Sequence, residues 1–180
     1  MARVPSSSIA IVFLAIFLVP DLSGAVPGDP DLIRRTCNST SFFDLCVSSL
    51  QSDPKSSKSD VKGLSVIVIN LGISNATDTS SYTSHLVKRR RNAGLNSALE
   101  GCAGRYADAR AALCSALEAL SLDDYDFASL HVSAAAAYAD MCHSLFRLSP
   151  ALTYPAALSS REKALERLCT IASDIISLLG

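Results

Sequence analysis

The sequence predicts an all-α protein: an up-and-down four-helix bundle with an N-terminal helical hairpin and two disulfides. Three observations carry this prediction. From Asp60 onward, apolar residues recur in alternating steps of three and four. The links between these periodic stretches are short and rich in helix-capping residues. Six cysteines follow a leader of secretory type, so disulfides are their expected chemistry.

Residues 1–25 read as a secretory signal peptide. Arg3 precedes an apolar run of eleven residues from Ile9 to Val19, and the small residues Ser23-Gly24-Ala25 follow at the cleavage position. The run is too short to span a bilayer, which takes roughly 20 residues, and no later segment qualifies. No membrane association is therefore expected. Cleavage after Ala25 leaves about 155 residues, one domain's worth.

Residues 26–58 are expected to form the helical hairpin. They contain "RTCNSTSFFDLC", with Cys37 and Cys46 nine positions apart and Phe42, Phe43 and Leu45 as apolar cargo. The sequons Asn38-Ser39-Thr40 and Asn75-Ala76-Thr77 make Asn38 and Asn75 candidate glycosylation sites in a secreted chain.

Residues 59–180 form the bundle. Val61, Leu64, Val68, Leu71 and Asn75 fit a first helix extending towards Lys88. Within it Val66-Ile67-Val68-Ile69 favours a strand by propensity. Helix is chosen because no partner strand is visible elsewhere. Leu99, Cys102, Tyr106, Ala109, Leu113, Ala116 and Leu120 give the second helix one apolar face, and Ser97-Ala98-Leu99-Glu100 has the capping-box pattern near its start. Phe127, Leu130, Ala134, Ala137, Met141, Leu145 and Leu148 supply the expected face of the third. The link Ser121-Leu122-Asp123-Asp124 makes these two helices antiparallel neighbours. After a loop bracketed by Pro150 and Pro155, a capping box at Ser159-Ser160-Arg161-Glu162 opens a fourth helix through Leu165, Leu168, Ile171, Ile175 and Leu178.

Helical geometry narrows the cysteine pairings. With the turn placed at Leu122, Cys102 lies twenty residues before it and Cys142 twenty after. In an antiparallel hairpin the two stand at the same height, within reach of a disulfide. Cys114 and Cys169 are separated along the bundle axis by about 10 Å at the helical rise, too far to bridge. They are expected to be free thiols, at least partly buried. Cys37 and Cys46 then pair locally. In the chain-entropy picture the ten-residue loop contributes about 2.7 kcal/mol and the 41-residue loop about 4 kcal/mol.

The formal net charge of -1 excludes nucleic acid as an obvious partner. "KRRR" at 88–91 reads as a solvated helix end, its cations near the C-terminal dipole. Its functional alternatives are a contact to an acidic enzyme surface or to pectate, or a processing site. His85, His131 and His143 show no metal-binding spacing, and neither a nucleophile elbow nor a phosphate loop is present. The chain reads as a non-enzyme with no cofactor and no metal.

Cys37-x8-Cys46, "LEGCAGRYADARAAL" at 99–113 and "HVSAAAAYADMC" at 131–142 resemble the plant invertase and pectin methylesterase inhibitor family. "DPKSSKSDVKGLSVIVIN" at 53–70 is similar to pollen members of that family named as invertase inhibitors. The resemblance spans nearly the whole mature chain. It implies a four-helix bundle with an N-terminal hairpin and disulfides from first to second and third to fourth family cysteine, here Cys37–Cys46 and Cys102–Cys142. It also implies a secreted inhibitor of the cell wall or vacuole. Such an inhibitor docks one-to-one over the active-site cleft of acid invertase or pectin methylesterase. Some members are pro-regions of a methylesterase; with no catalytic domain following, that role is not expected.

Invertase inhibitors of the family often carry Pro-Lys-Phe in the turn between the two middle helices. Here the turn reads "DDYDFAS" at 123–129. Phe127 matches, while Tyr125 stands for the Pro and Asp126 for the Lys. An Asp aimed at the carboxylate pair of a glycosidase repels rather than attracts. Asp124, Tyr125, Asp126 and Phe127 are the candidate partner contacts. In the bland alternative the acids only cap a helix and suit its dipole. The rival from another class is a secreted helical carrier or storage protein with a hydrophobic ligand between the helices. The many Ala on the apolar faces suggest close helix approach rather than a cavity.

Overall fold

The computed structural model describes residues 31–89, 92–149 and 151–180. The signal-peptide reading of residues 1–25 and part of the basic cluster, Arg90 and Arg91, lie outside the described residues. Six α-helices follow in order: α1 (Leu32–Asn38), α2 (Phe43–Gln51), α3 (Val61–Arg89), α4 (Ala93–Ser121), α5 (Tyr125–Arg147) and α6 (Ala156–Ile176), with a 3₁₀ helix at Pro54–Lys58 between α2 and α3. Among the described residues there is no strand. The long helices α3 to α6 form the bundle. α4 lies between α3 and α5, and α6 closes the ring against α3 and α5.

The β-branched run in α3 is helical. Leu64, Ile67, Val68 and Ile69 are buried, and burial against α4 and α6 outweighs a weak local strand preference. Asp60 caps this helix, its Oδ1 accepting the Gly63 N–H at 2.7 Å. Further along, Thr79 and Thr83 are fully buried. Each returns its hydroxyl to a carbonyl one turn back, Asn75 at 2.7 Å and Thr79 at 3.1 Å, so neither leaves an unmet polar group.

α4 begins four residues before the capping-box pattern at Ser97. Asn92 is its cap, Oδ1 accepting the Leu95 N–H at 2.9 Å, and Ser97 is an exposed interior position. The seven residues of its predicted apolar face are all buried. α6 likewise starts one turn before the pattern at Ser159. Pro155 supplies the fixed backbone entry, and the buried Leu158 draws the first turn onto the core.

The apolar face of α5 differs from the expected one. Ala128, Val132, Ala135, Ala139, Cys142 and Phe146 are buried. The expected row contains Phe127, Leu130, Met141 and Leu148, all exposed. The helix is apolar on two sides, and the inner side is the one with small residues. Ala128, Ala135 and Ala139 let α5 approach α4 closely, and the Cα atoms of Cys102 and Cys142 are 4.6 Å apart. Gly101 lies at this approach; a Cβ there would come within 2.6 Å of Leu145 Cδ1.

The hairpin α1–α2 is closed by Cys37–Cys46, with Cα atoms 5.6 Å apart. Leu50 is fully buried, whereas Phe42 and Phe43 are half-buried. The guanidinium of Arg167 sits 5.5 Å over the Phe42 ring, and the Ser41 N–H donates to Asp174 Oδ2 at 2.7 Å. These contacts dock the hairpin on α6.

Candidate functional site

The α4–α5 turn is built by backbone chemistry. α4 ends in a Schellman motif. The Asp124 N–H reaches the Ala119 carbonyl at 3.0 Å, and the Asp123 N–H reaches Leu120 at 3.1 Å. Asp123 occupies the left-handed position, φ 56°, which Asp tolerates better than most residues. Asp124 then caps α5, its Oδ1 accepting the Phe127 N–H at 3.2 Å.

The three aspartates of the turn have different duties. Asp123 Oδ1 accepts from Lys62 Nζ at 2.6 Å and from the Tyr125 hydroxyl at 3.0 Å. The Lys62 hydrogen bond holds the Asp123 carboxyl below its usual range, with Tyr125 and the Lys62 charge adding to the effect. The same hydrogen bond raises the Lys62 ammonium. The pair's contribution is present above the ordinary carboxylate range and is lost as pH falls through the lowered Asp123 value. It is lost again when pH rises through the raised Lys62 value. Asp124 is spent as a cap. Asp126 is exposed in the first turn of α5, with no ion pair among the described residues.

Around the turn, Leu122, Asp124, Tyr125 and Asp126 line a shallow recess of about 400 Å³ that Gly180 closes from α6's end. A Cβ on Gly180 would stand 3.0 Å from Tyr125 Cδ2. Phe127 is 56% exposed, Leu130 60% and Leu122 79%. Phe127, Leu130, Met141 and Leu148 recur at helical spacing and form an interrupted apolar stripe on the outer side of α5. Of the predicted contact residues, the structure presents Asp126 and Phe127 to solvent, half-buries Tyr125 and ties Asp124 into the helix start. The stripe was legible as apolar periodicity, but its direction was not.

Asn38 is exposed at the end of α1. Asn75 is different: it sits within α3 and lines a recess of about 300 Å³ with Leu45, Leu71 and Leu168. Its Oδ1 is shielded from solvent. Cys114 and Cys169 are free, the first half-buried and the second buried. Burial, and then the charge of Glu166, pushes the Cys169 thiol up to about 12. Lys88 is exposed, His85 is exposed and His131 lines the α4–α5 surface.

At the opposite end of the bundle the structure joins residues that sequence spacing left apart. His143 of α5 meets Glu162 of α6, Nδ1 to Oε1 at 3.2 Å. Its ring stacks on Tyr154, centroids 4.4 Å apart and planes 5° from parallel. These residues come from separate elements, so no local motif announces them.

Among known proteins, the sequence pattern of the plant invertase/pectin methylesterase inhibitor family matches residues 31–175. The chain is 42% identical over 171 residues to pectinesterase inhibitor 28 of Oryza sativa subsp. japonica, covering 89% of this chain and 75% of that one. It is 35% identical over 175 residues to the cell wall / vacuolar inhibitor of fructosidase 2 of Arabidopsis thaliana, covering 94% and 97%. Its fold is similar to the crystal structure of a mutant form of an Arabidopsis pectin methylesterase inhibitor, at TM-score 0.68 and 22% identity over 80% of this chain and 94% of that one. The matched segment takes in the hairpin with its disulfide, the bundle and the α4–α5 turn, and the chain is a member of the plant invertase/pectin methylesterase inhibitor family.

Proposed function

We propose that the chain is a secreted inhibitor of plant pectin methylesterase, acting in the cell wall as a one-to-one complex. The contact surface is the α4–α5 turn together with the outer stripe of α5. The observation that carries this reading is the stripe. Five large apolar side chains stand exposed, beginning beside Asp126, which has no ion pair among the described residues. Large apolar side chains exposed together, as Leu122, Phe127 and Leu130 are around the turn, mark a protein interface. The relative with 42% identity, a pectinesterase inhibitor, supports the choice of target.

Acid invertase is the second reading, favoured by the fructosidase inhibitor that aligns over nearly its whole length. Against it stands Asp126, whose charge opposes approach to a glycosidase carboxylate pair. Secretion follows the leader at residues 1–25, and vacuolar delivery is the alternative destination.

Paired titrations decide between the targets. The oxidised mature protein is added to a plant pectin methylesterase and to an acid invertase at mildly acidic pH. Methylesterase activity is expected to fall to a stoichiometric end point while invertase activity persists. Phe127→Ala should weaken inhibition about thirtyfold, as a truncated interface anchor of about 2 kcal/mol does. Loss of invertase activity alone transfers the target, and loss of neither removes the inhibitor reading in favour of the carrier.

A further inference from the structure

We propose that Asp140, His143 and Glu162 form a zinc site that clamps α5 to α6 at the end of the bundle away from the turn. His143 lies eighteen residues after Tyr125, about 27 Å along α5. The site is therefore far from the turn; Met141 and Leu148 of the outer stripe flank it, but its three ligands are not among the proposed enzyme contacts.

Each of the three residues offers a ligand atom, and these atoms all lie within 4.8 Å of one another. Nδ1 of His143 and Oε1 of Glu162 are 3.2 Å apart. Two ligands held at zinc's usual bond lengths on a tetrahedron are about 3.3 Å apart, so the pair already spans one edge. Asp140 and His143 are three residues apart on α5, the spacing at which two side chains of a helix share a face. Carboxylate and histidine at this spacing, facing a carboxylate on a neighbouring helix, is how helical bundles hold metals. The imidazole selects zinc over calcium or magnesium, which take oxygen ligands.

The surroundings orient the ligands. The Tyr154 ring, stacked on His143 and edge-on to Phe146 at 5.0 Å, fixes the imidazole plane. Glu162 keeps only 13% of its side chain exposed. Surroundings of this type set ligand orientation in metal sites. Asp140 and Glu162, with Glu166 one turn further on, line a recess of about 340 Å³, which gives room for the remaining coordination position. The cation facing the set is Arg147, 3.6 Å from Asp140 Oδ2. It also donates to Ser144 Oγ at 2.6 Å, so it keeps a partner when Asp140 turns to the metal.

The test is isothermal titration of the metal-free, oxidised mature protein with Zn²⁺, alongside a thermal melt and a Co²⁺ absorption spectrum. One zinc per chain, a raised melting temperature and a visible Co²⁺ band are expected, with no response to Mg²⁺ or Ca²⁺. His143→Ala and Glu162→Gln should each weaken uptake by at least about tenfold. Asp140→Asn, at an exposed position outside the Tyr154 stack, should weaken it in a chain whose metal-free melt is unchanged. His131→Ala and Cys114→Ser should bind as the parent does. No heat and no melting shift in the parent, or undiminished binding in His143→Ala, overturns the site. None of these readouts involves the target enzyme, so failure here leaves the inhibitor reading where it stood.

Discussion

Single residues in this protein take their character from depth rather than type. The two free cysteines are chemically alike in sequence, yet Cys114 is half-buried and Cys169 is enclosed in α6's core face. Ionising Cys169 would bury a charge, which is why its thiol is pushed up to about 12. In the folded protein a thiol reagent should therefore modify Cys114 and leave Cys169 intact from pH 7 to 9. In denaturant both should react, and a free-thiol assay with peptide mapping reads the difference. The sign for stability follows: the unfolded chain ionises this thiol above its model value of 9.0 and the folded chain does not. Cys169 thus subtracts stability as pH climbs between those values.

The two sequons part in the same way. An oligosaccharide on Asn38 projects from an exposed helix end, whereas one on Asn75 has to leave from a recess between α2, α3 and α6. In protein secreted from a eukaryotic host, Asn38→Gln is expected to abolish the mass shift on deglycosylation. Asn75→Gln is expected to leave it unchanged.

At the scale of the element, α5 shows how a helix can satisfy a periodicity test and still turn another way. Its outward row of Phe127, Leu130, Met141 and Leu148 is more hydrophobic than its inward row of three alanines, Val132, Cys142 and Phe146. The inward row wins because small side chains let the α4 and α5 backbones approach within disulfide range at Cys102–Cys142. Two phenylalanines of one helix should then behave oppositely. Phe146→Ala should cost about 3–5 kcal/mol by emptying a buried volume. Phe127→Ala should change stability by no more than about 0.5 kcal/mol, as exposed positions do. Urea unfolding of the two variants checks this. Equal costs would mean that the expected face is the buried one.

The whole molecule is a ring of four helices stapled at one interface, with a small hairpin closed by its own bridge. The staples enclose loops of different length, so their removal should differ. Replacing Cys102 and Cys142 together by Ala should lower unfolding free energy by about 4 kcal/mol, against about 2.7 kcal/mol for Cys37 and Cys46. Denaturant titration of the two double variants, each with its remaining disulfide confirmed by mass, measures both. The hairpin variant should in addition loosen the Ser41–Asp174 and Arg167–Phe42 contacts on α6.

Much of this architecture was legible in the chain. Helix number, order and antiparallel pairing follow from periodicity and short capped links, because each is a property of neighbouring residues. The Cys102–Cys142 bridge was legible too, since twenty residues on either side of a tight turn reach the same height. Helix starts were less so. Asn92 and Pro155 begin α4 and α6 ahead of the capping-box patterns at Ser97 and Ser159, because a pattern inside a helix is silent.

By itself, then, the sequence determined an all-α, disulfide-stapled chain, because periodicity, capping and cysteine spacing act over a few turns, and its resemblance to a known family pointed to an inhibitor. Three things only the tertiary structure decided. They are which side of α5 faces inward, which aspartate of the turn pairs with Lys62, and that His143 meets Glu162 across two helices. Each depends on the approach of segments distant in the chain; for α5 that approach is set by the alanines and the glycine at its contact with α4. A contact of that kind has no period for a sequence to display.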